Sequence, residues 1–287
     1  MWPLFAFATA FLETAKDVVG KQGAQKTNEY MTAFAMQFFE AILLSGVLLV
    51  VGIPVIQPMF WVVLLGFCIT IPSASILYMR AIKLSPLSIS IPMLAFNPII
   101  TALLAVFFDH KFPSPLGWTG IGLVCIGLYC IRLTKDVIKK GLWYPLFRII
   151  DEPGTVAMLG VSFIWSVGAH LSTAAVRTSS PLFAVWAGAV AGATILFVIM
   201  QKYGGSFLLF KKNAGRLISL GVIDGLSNLA MYTALSTGLT VYVVSIKRTN
   251  MLWSSLMGKI LFGESVGKIK IIGLLMMLLG IGAILAR

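Results

Sequence analysis

Residues 119–128 read TGIGLVCIGL, and residues 272–281 read IGLLMMLLGI. Laid over one another at an offset of 153, they place Gly120 on Gly273 and Gly127 on Gly280. The same offset, without a gap, carries residues 78–127 onto 231–280 and matches Ala81 with Ala234 and Asn97 with Asn250. Such identities in apolar sequence are few. A single offset that holds across matching apolar runs gives them weight, and the chain reads as two repeats.

The repeats are built for lipid. Hydrophobic residues make up 59% of the 287, charged residues 11%, and the mean hydropathy is +0.96. A soluble domain carries about 25% charged residues, so the surplus apolar surface must meet a bilayer. A helix needs about 20 apolar residues to cross the hydrocarbon core. Runs of that size occupy 2–20, 31–51, 59–79, 87–108, 115–133, 155–175, 181–200, 215–236, 239–262 and 268–286. They predict an all-α integral membrane protein of ten transmembrane helices. Residues 1–140 hold the first five-helix repeat, 141–154 a linker and 155–287 the second repeat. Five is odd, so the second repeat enters the membrane from the opposite side, and the repeats are inverted.

The cations agree with that plan. Loops after the odd-numbered spans carry fifteen Lys and Arg, from Lys21 and Lys26 through Arg80 and Lys211 to Lys270. The opposite side carries Lys111, Arg177 and Arg287. Positive residues stay in the cytoplasm, which puts both termini outside it. The net charge of +12 sits in short loops rather than in a basic domain, so orientation in a membrane explains it and nucleic acid does not. The linker region mixes Lys135, Lys139, Lys140 and Arg148 with Trp143, Tyr144 and Phe147. It is either an amphipathic segment in the headgroup layer or a partly ordered connection. Cys68, Cys125 and Cys130 lie in apolar runs without C-x-x-C spacing, so neither a disulfide framework nor a metal site follows. The first run has no basic n-region or small-residue cleavage site and reads as a retained helix.

Three stretches carry a resemblance. They are "SPLSISIPMLAFNPIITALLAVFF" (85–108), "KDVVGK" (16–21) and "YVVSIKRTNMLWSSLMGKILFGESVGKIKIIGLLMMLLGIGAI" (242–284). Together with the ten-helix repeat they resemble the drug/metabolite transporter superfamily, in particular its EamA-type permeases. The resemblance covers essentially the whole chain. It implies a central cavity between the repeats and movement of small metabolites. The sequence departs from the pattern at "FFDHKF" (107–112), where an L-G-E ending is usual, and at Glu40, where an apolar residue is usual.

Charges within apolar runs are the candidate site. A central Lys, Arg or Asp costs about 2.5–3.5 kcal/mol on insertion scales. Lys247 and Arg248 lie about eight residues into the ninth span, roughly 12 Å along its axis at 1.5 Å per residue. They are expected to face the protein interior, where Glu13, Glu40 or Asp224 would balance them. On a continuous helix Lys247 aligns with Asn250, Ser254 and Gly258, and Arg248 with Leu252, Ser255 and Lys259. That favours Lys247 as the substrate contact and Arg248 as an anchor; buried ion bridges that only pin the span are the competing reading. Glu13, Lys16 and Asp17 stand at i, i+3 and i+4, where one lysine reaches two carboxylates. Glu40 is either a proton-coupling carboxylate or a counter-ion. Asp224, Asn228 and Tyr232 form one stripe, for helix–helix hydrogen bonds or a wet cavity. Trp165 and His170 share the sixth span, the histidine being either a satisfied interior group or a proton relay. Asn97 and Asn250 join the substrate-binding candidates, and Pro92 and Pro98 mark a kink or a cavity in the fourth span.

The leading functional reading is a secondary transporter that moves a small polar or anionic metabolite by alternating access. A lipid flippase of the same fold competes with it. An intramembrane enzyme is the reading from another class, but His110 and His170 stand apart and no H-E-x-x-H or G-x-S-x-G occurs. No G-x-x-x-x-G-K-[ST] occurs either, so ion or substrate gradients would drive transport. No cofactor is expected. The expected partners are a small-molecule substrate and membrane lipids, with the chain a monomer or weak dimer in a cell membrane of bacterial inner-membrane type.

Overall fold

The structure is a computed structural model that describes residues 1–23, 29–84, 90–108, 113–133, 135–147, 151–203, 211, 213–262 and 267–286. The side chains of Asp17, Lys21, Pro92, Ser255, Gly258 and Lys259, and residues 109–112 and 263–266, lie outside what is described, so His110 and Glu264 do too.

Among the described residues every regular element is helical. The first half gives α1 (Trp2–Gly23), α2 (Glu29–Val51), α3 (Met59–Leu84), a 3-10 helix (Ile91–Phe96), α4 (Asn97–Phe108) and α5 (Pro115–Arg132). Two short helices follow, α6 (Lys135–Lys140) and α7 (Tyr144–Phe147). The second half gives α8 (Pro153–Thr178), α9 (Pro181–Tyr203), α10 (Ala214–Thr237), α11 (Thr240–Lys247), α12 (Asn250–Phe262) and α13 (Lys268–Leu285). Among the described residues five helices are long and apolar enough to cross a membrane: α8, α9, α10, α13 and Tyr30–Val51 of α2. Outward faces are apolar, as in the α3 row of Trp61, Leu65 and Ile69, between 55% and 67% exposed. Such a row faces lipid rather than water.

The two-repeat fold shows in the element boundaries. Both ends of α13 lie 153 residues beyond the ends of α5, and Asn97 and Asn250 open α4 and α12 at the same offset. The fourth and ninth runs are not single helices, however. The fourth is a 3-10 helix that passes into α4, and the ninth breaks between α11 and α12. At the second break Thr249 N–H donates to Ile246 O at 2.9 Å, Met251 to Arg248 O at 3.2 Å and Leu252 to Thr249 O at 2.9 Å. These i→i+3 bonds wind the chain more tightly than an α-helix. The turn interrupts the regular 100° step on which the expected alignments of Lys247 and Arg248 with residues of α12 rested.

The chain forms two compact units, each drawing on both repeats. The first holds residues 1–72 and 171–238. Here α1 packs on α10, and α2 on α9 and α10. Glycines let the backbones come close: Gly221 meets the Met36 carbonyl and the Phe39 side chain, and Gly192 meets Gln37. Leu48, Phe60, Phe67, Val176 and Phe183 fill a core beside them, with the Phe60 and Phe183 rings 5.2 Å apart.

The second unit holds residues 73–170 and 239–287. Its spine is the antiparallel pair α5 and α13. Ser114 caps α5, its hydroxyl accepting from Gly117 N–H at 3.1 Å, with Pro115 at the first turn. Along the pair a Cβ at Gly120 would stand 2.7 Å from Gly280 O, and one at Gly127 would stand 2.5 Å from Gly273 O. The contact is reciprocal, since Gly273 and Gly280 are the partners of Gly120 and Gly127 at the repeat offset. Each repeat supplies the same two glycines to a seam that is complementary to itself. Small residues permit this approach in membrane helices generally.

Candidate functional site

The first unit buries a charged cluster. Lys16 Nζ on α1 lies 2.8 Å from Glu13 Oε2, one turn earlier, and 2.7 Å from Asp224 Oδ1 on α10. Ser227 donates to the other Glu13 oxygen at 3.2 Å. Glu40 on α2 is 1% exposed and accepts from Asn228 Nδ2 at 2.8 Å and from Gln37 Nε2 at 3.2 Å. The stripe on α10 therefore spreads its bonds over three neighbours: Asp224 to α1, Asn228 to α2 and Tyr232 to α8, where Ser172 donates to the phenol oxygen at 2.9 Å. Isolated charges cannot be buried cheaply, and a paired, hydrogen-bonded set answers the cost.

Among the described ion pairs these acids meet Lys16: one turn of α1 brings the ammonium to Glu13, and the packing of α10 on α1 adds Asp224. Glu40 accepts from two amides, and in the second unit a frame of amide and hydroxyl groups receives Arg248.

That frame joins α4 and α8. Asn97 donates from Nδ2 to Ser162 O at 3.0 Å and to Ser166 Oγ at 2.8 Å, and Thr101 donates to Ser166 Oγ at 3.1 Å. His170, the next residue on the same face of α8, donates from Nε2 to Thr101 O at 2.9 Å and stacks on Phe108 at 5.3 Å. A carbonyl only accepts, so this nitrogen carries the proton. Asn97 turns its carbonyl oxygen to Arg248, which donates from Nη2 at 2.7 Å and Nε at 3.2 Å. The guanidinium carbon lies 5.2 Å from the centre of the Trp165 ring, and Trp165 stacks on Tyr78 at 5.9 Å. Arginine suits such a place because its plane can donate in a fork and stack at once.

Of the expected site residues, Asn97, Trp165, His170 and Arg248 belong to this constellation, and Glu13, Lys16, Glu40, Asp224, Asn228 and Tyr232 to the network of the first unit. Lys247 closes α11 half-buried, and Asn250 opens α12, buried. Gln37, Tyr78, Thr101, Ser162, Ser166, Ser172 and Ser227 were missed. Small hydroxyls pass unnoticed in apolar helices because each can bond its own backbone one turn back, as Thr101 does to Asn97 O. Their spacing was the available signal: Ser162, Ser166 and His170 repeat every four residues, as do Asn97 and Thr101.

Helices with lipid-facing rims and charged networks among their apolar spans define a multi-pass membrane protein with polar interior sites. The EamA-like transporter family model matches residues 1–133 and again residues 152–286, and the chain belongs to that family, a family of membrane transporters. Among solved structures, one described as "Crystal structure of protein" has a TM-score of 0.81 at 16% identity, covering 100% of this chain and 98% of that one. That likeness is one of fold. No curated protein matches the sequence.

Proposed function

We propose that the protein is a secondary transporter for a small polar or anionic metabolite, working by alternating access, with Arg248 at the substrate site and Glu40 carrying a coupling proton. The observation that bears this reading is the setting of Arg248. A guanidinium beside a break in an apolar span is held in place by the Asn97 amide oxygen and the Trp165 indole, which fix the direction of its donor fork. A carboxylate or phosphate ester is the complementary ligand, and Trp165 and Tyr78 give it an aromatic wall. Broken helices next to substrate groups are a recurrent transporter device. This assignment reverses the roles expected for Lys247 and Arg248 from helical alignment.

Among the described residues Glu40 accepts from two amides, whereas Glu13 and Asp224 bind the ammonium directly. In proteoliposomes carrying a pH gradient and offered a panel of labelled organic acids, wild type should accumulate at least one anion. Arg248→Met should lose that uptake at least tenfold, and Glu40→Gln should retain exchange while losing the response to pH. Uptake unchanged in Arg248→Met would overturn the site. Scrambling of labelled lipid in place of solute uptake would favour a flippase.

The cation asymmetry between loops further supports both termini outside the cytoplasm. A cysteine placed at Lys211 should then resist an impermeant thiol reagent in intact cells and react after the membrane is opened. Reaction in intact cells would reverse the orientation.

A further inference from the structure

Beyond α5 the chain makes a short, firmly attached excursion. Leu133 and Val137 are buried at 2% and 3% exposure against Tyr129, Ile138, Tyr144 and Ile269, so α6 is fastened to α5 and α13. Gly141 then turns the chain at φ +112°, a conformation glycine adopts readily and other residues avoid. Tyr129 Oη donates to Leu142 O at 2.9 Å and holds the far side of the turn. What projects outward is thus set by the fold.

The projecting residues are of two kinds. Leu142, Trp143 and Phe147 are 46%, 63% and 79% exposed. Lys139 and Lys140 are exposed beside them, Lys140 lying 5.1 Å from the centre of the Tyr144 ring. Asp136 is one turn back, yet the ion pairs among the described residues do not include it with either lysine. A solvated loop has no use for three outward apolar side chains, and a surface buried in hydrocarbon has none for two lysines. The boundary between headgroups and acyl chains satisfies both.

We propose that residues 135–147 form a binding site for anionic phospholipid. Lys139 and Lys140 take the headgroup phosphate, while Leu142, Trp143 and Phe147 enter the acyl boundary. The charge complement selects an anionic lipid over a zwitterionic one, by about fivefold for each lysine at a membrane surface. The apolar trio selects a lipid over a free phosphate, which would leave those side chains in water.

The test uses the full chain in nanodiscs of phosphatidylcholine doped with brominated lipid, and the emission of Trp143 taken as wild type minus Trp143→Phe. Brominated phosphatidylglycerol should quench that emission several-fold more than brominated phosphatidylcholine at the same mole fraction. Lys139→Gln/Lys140→Gln should remove the difference while leaving thermal unfolding unchanged, and excess glycerol phosphate should not compete. Equal quenching by the two lipids, no quenching by either, an anionic preference that survives loss of both lysines, or competition by glycerol phosphate would each overturn the proposal.

Discussion

Gly127→Leu should yield no folded protein, and Gly127→Ala a protein with a clearly lowered melting temperature in detergent. At Gly127 a Cβ would stand 2.5 Å from Gly273 O, 2.5 Å from Met277 Cγ and 2.9 Å from Met277 N. Two of those atoms are backbone and cannot rotate away, so α5 and α13 would have to separate along their length. Overpacking a tight core costs about 1–3 kcal/mol when side chains can adjust; here they cannot, and the leucine effect should exceed that range. Gly122 is the control on the same helix, since nothing lies within 4 Å of a Cβ there. Gly122→Ala should leave melting unchanged or raise it slightly, because alanine restricts the unfolded chain and favours helix. Equal melting temperatures for Gly127→Ala and Gly122→Ala would refute the close seam.

Lys16→Met should destabilise by about 3–5 kcal/mol, the penalty for removing one partner of a buried ion pair. The loss leaves Glu13 and Asp224, 9% and 6% exposed, facing one another without the ammonium between them. Lys16→Met/Asp224→Asn should recover part of the loss. No recovery in the double variant would mean that lost packing of the lysine stem, and not the charge, is responsible.

The architecture was readable because it rests on properties that survive the averaging of a hydropathy profile. Apolar runs of spanning length, the repeat offset and the glycines at 120, 127, 273 and 280 all translate directly into elements and a contact. The break at 248–249 was not readable. No proline or glycine interrupts residues 243–253, and a run of apolar and small residues accommodates a tight turn as easily as a regular one. In the first repeat Pro92 and Pro98 did mark the equivalent place. The acids illustrate the other limit. Glu13 with Lys16 was a local pair visible from its spacing, but the second carboxylate on that lysine is Asp224, more than two hundred residues away in sequence. Only the packing of α1 on α10 introduces them. Arg248 likewise meets Asn97 across the two repeats, a pairing no spacing announces.

The glycine seam also restricts how the molecule can move. A slide of α5 along α13 by one helical turn, about 5.4 Å, would carry Gly120 from Gly280 towards Met277 or Ile284, and would press a full side chain against a backbone oxygen. Shear along this pair is therefore blocked in both directions by the same four residues. Any conformational cycle must carry α5 and α13 as one rigid body and find its freedom at joints such as those before Asn97 and Asn250.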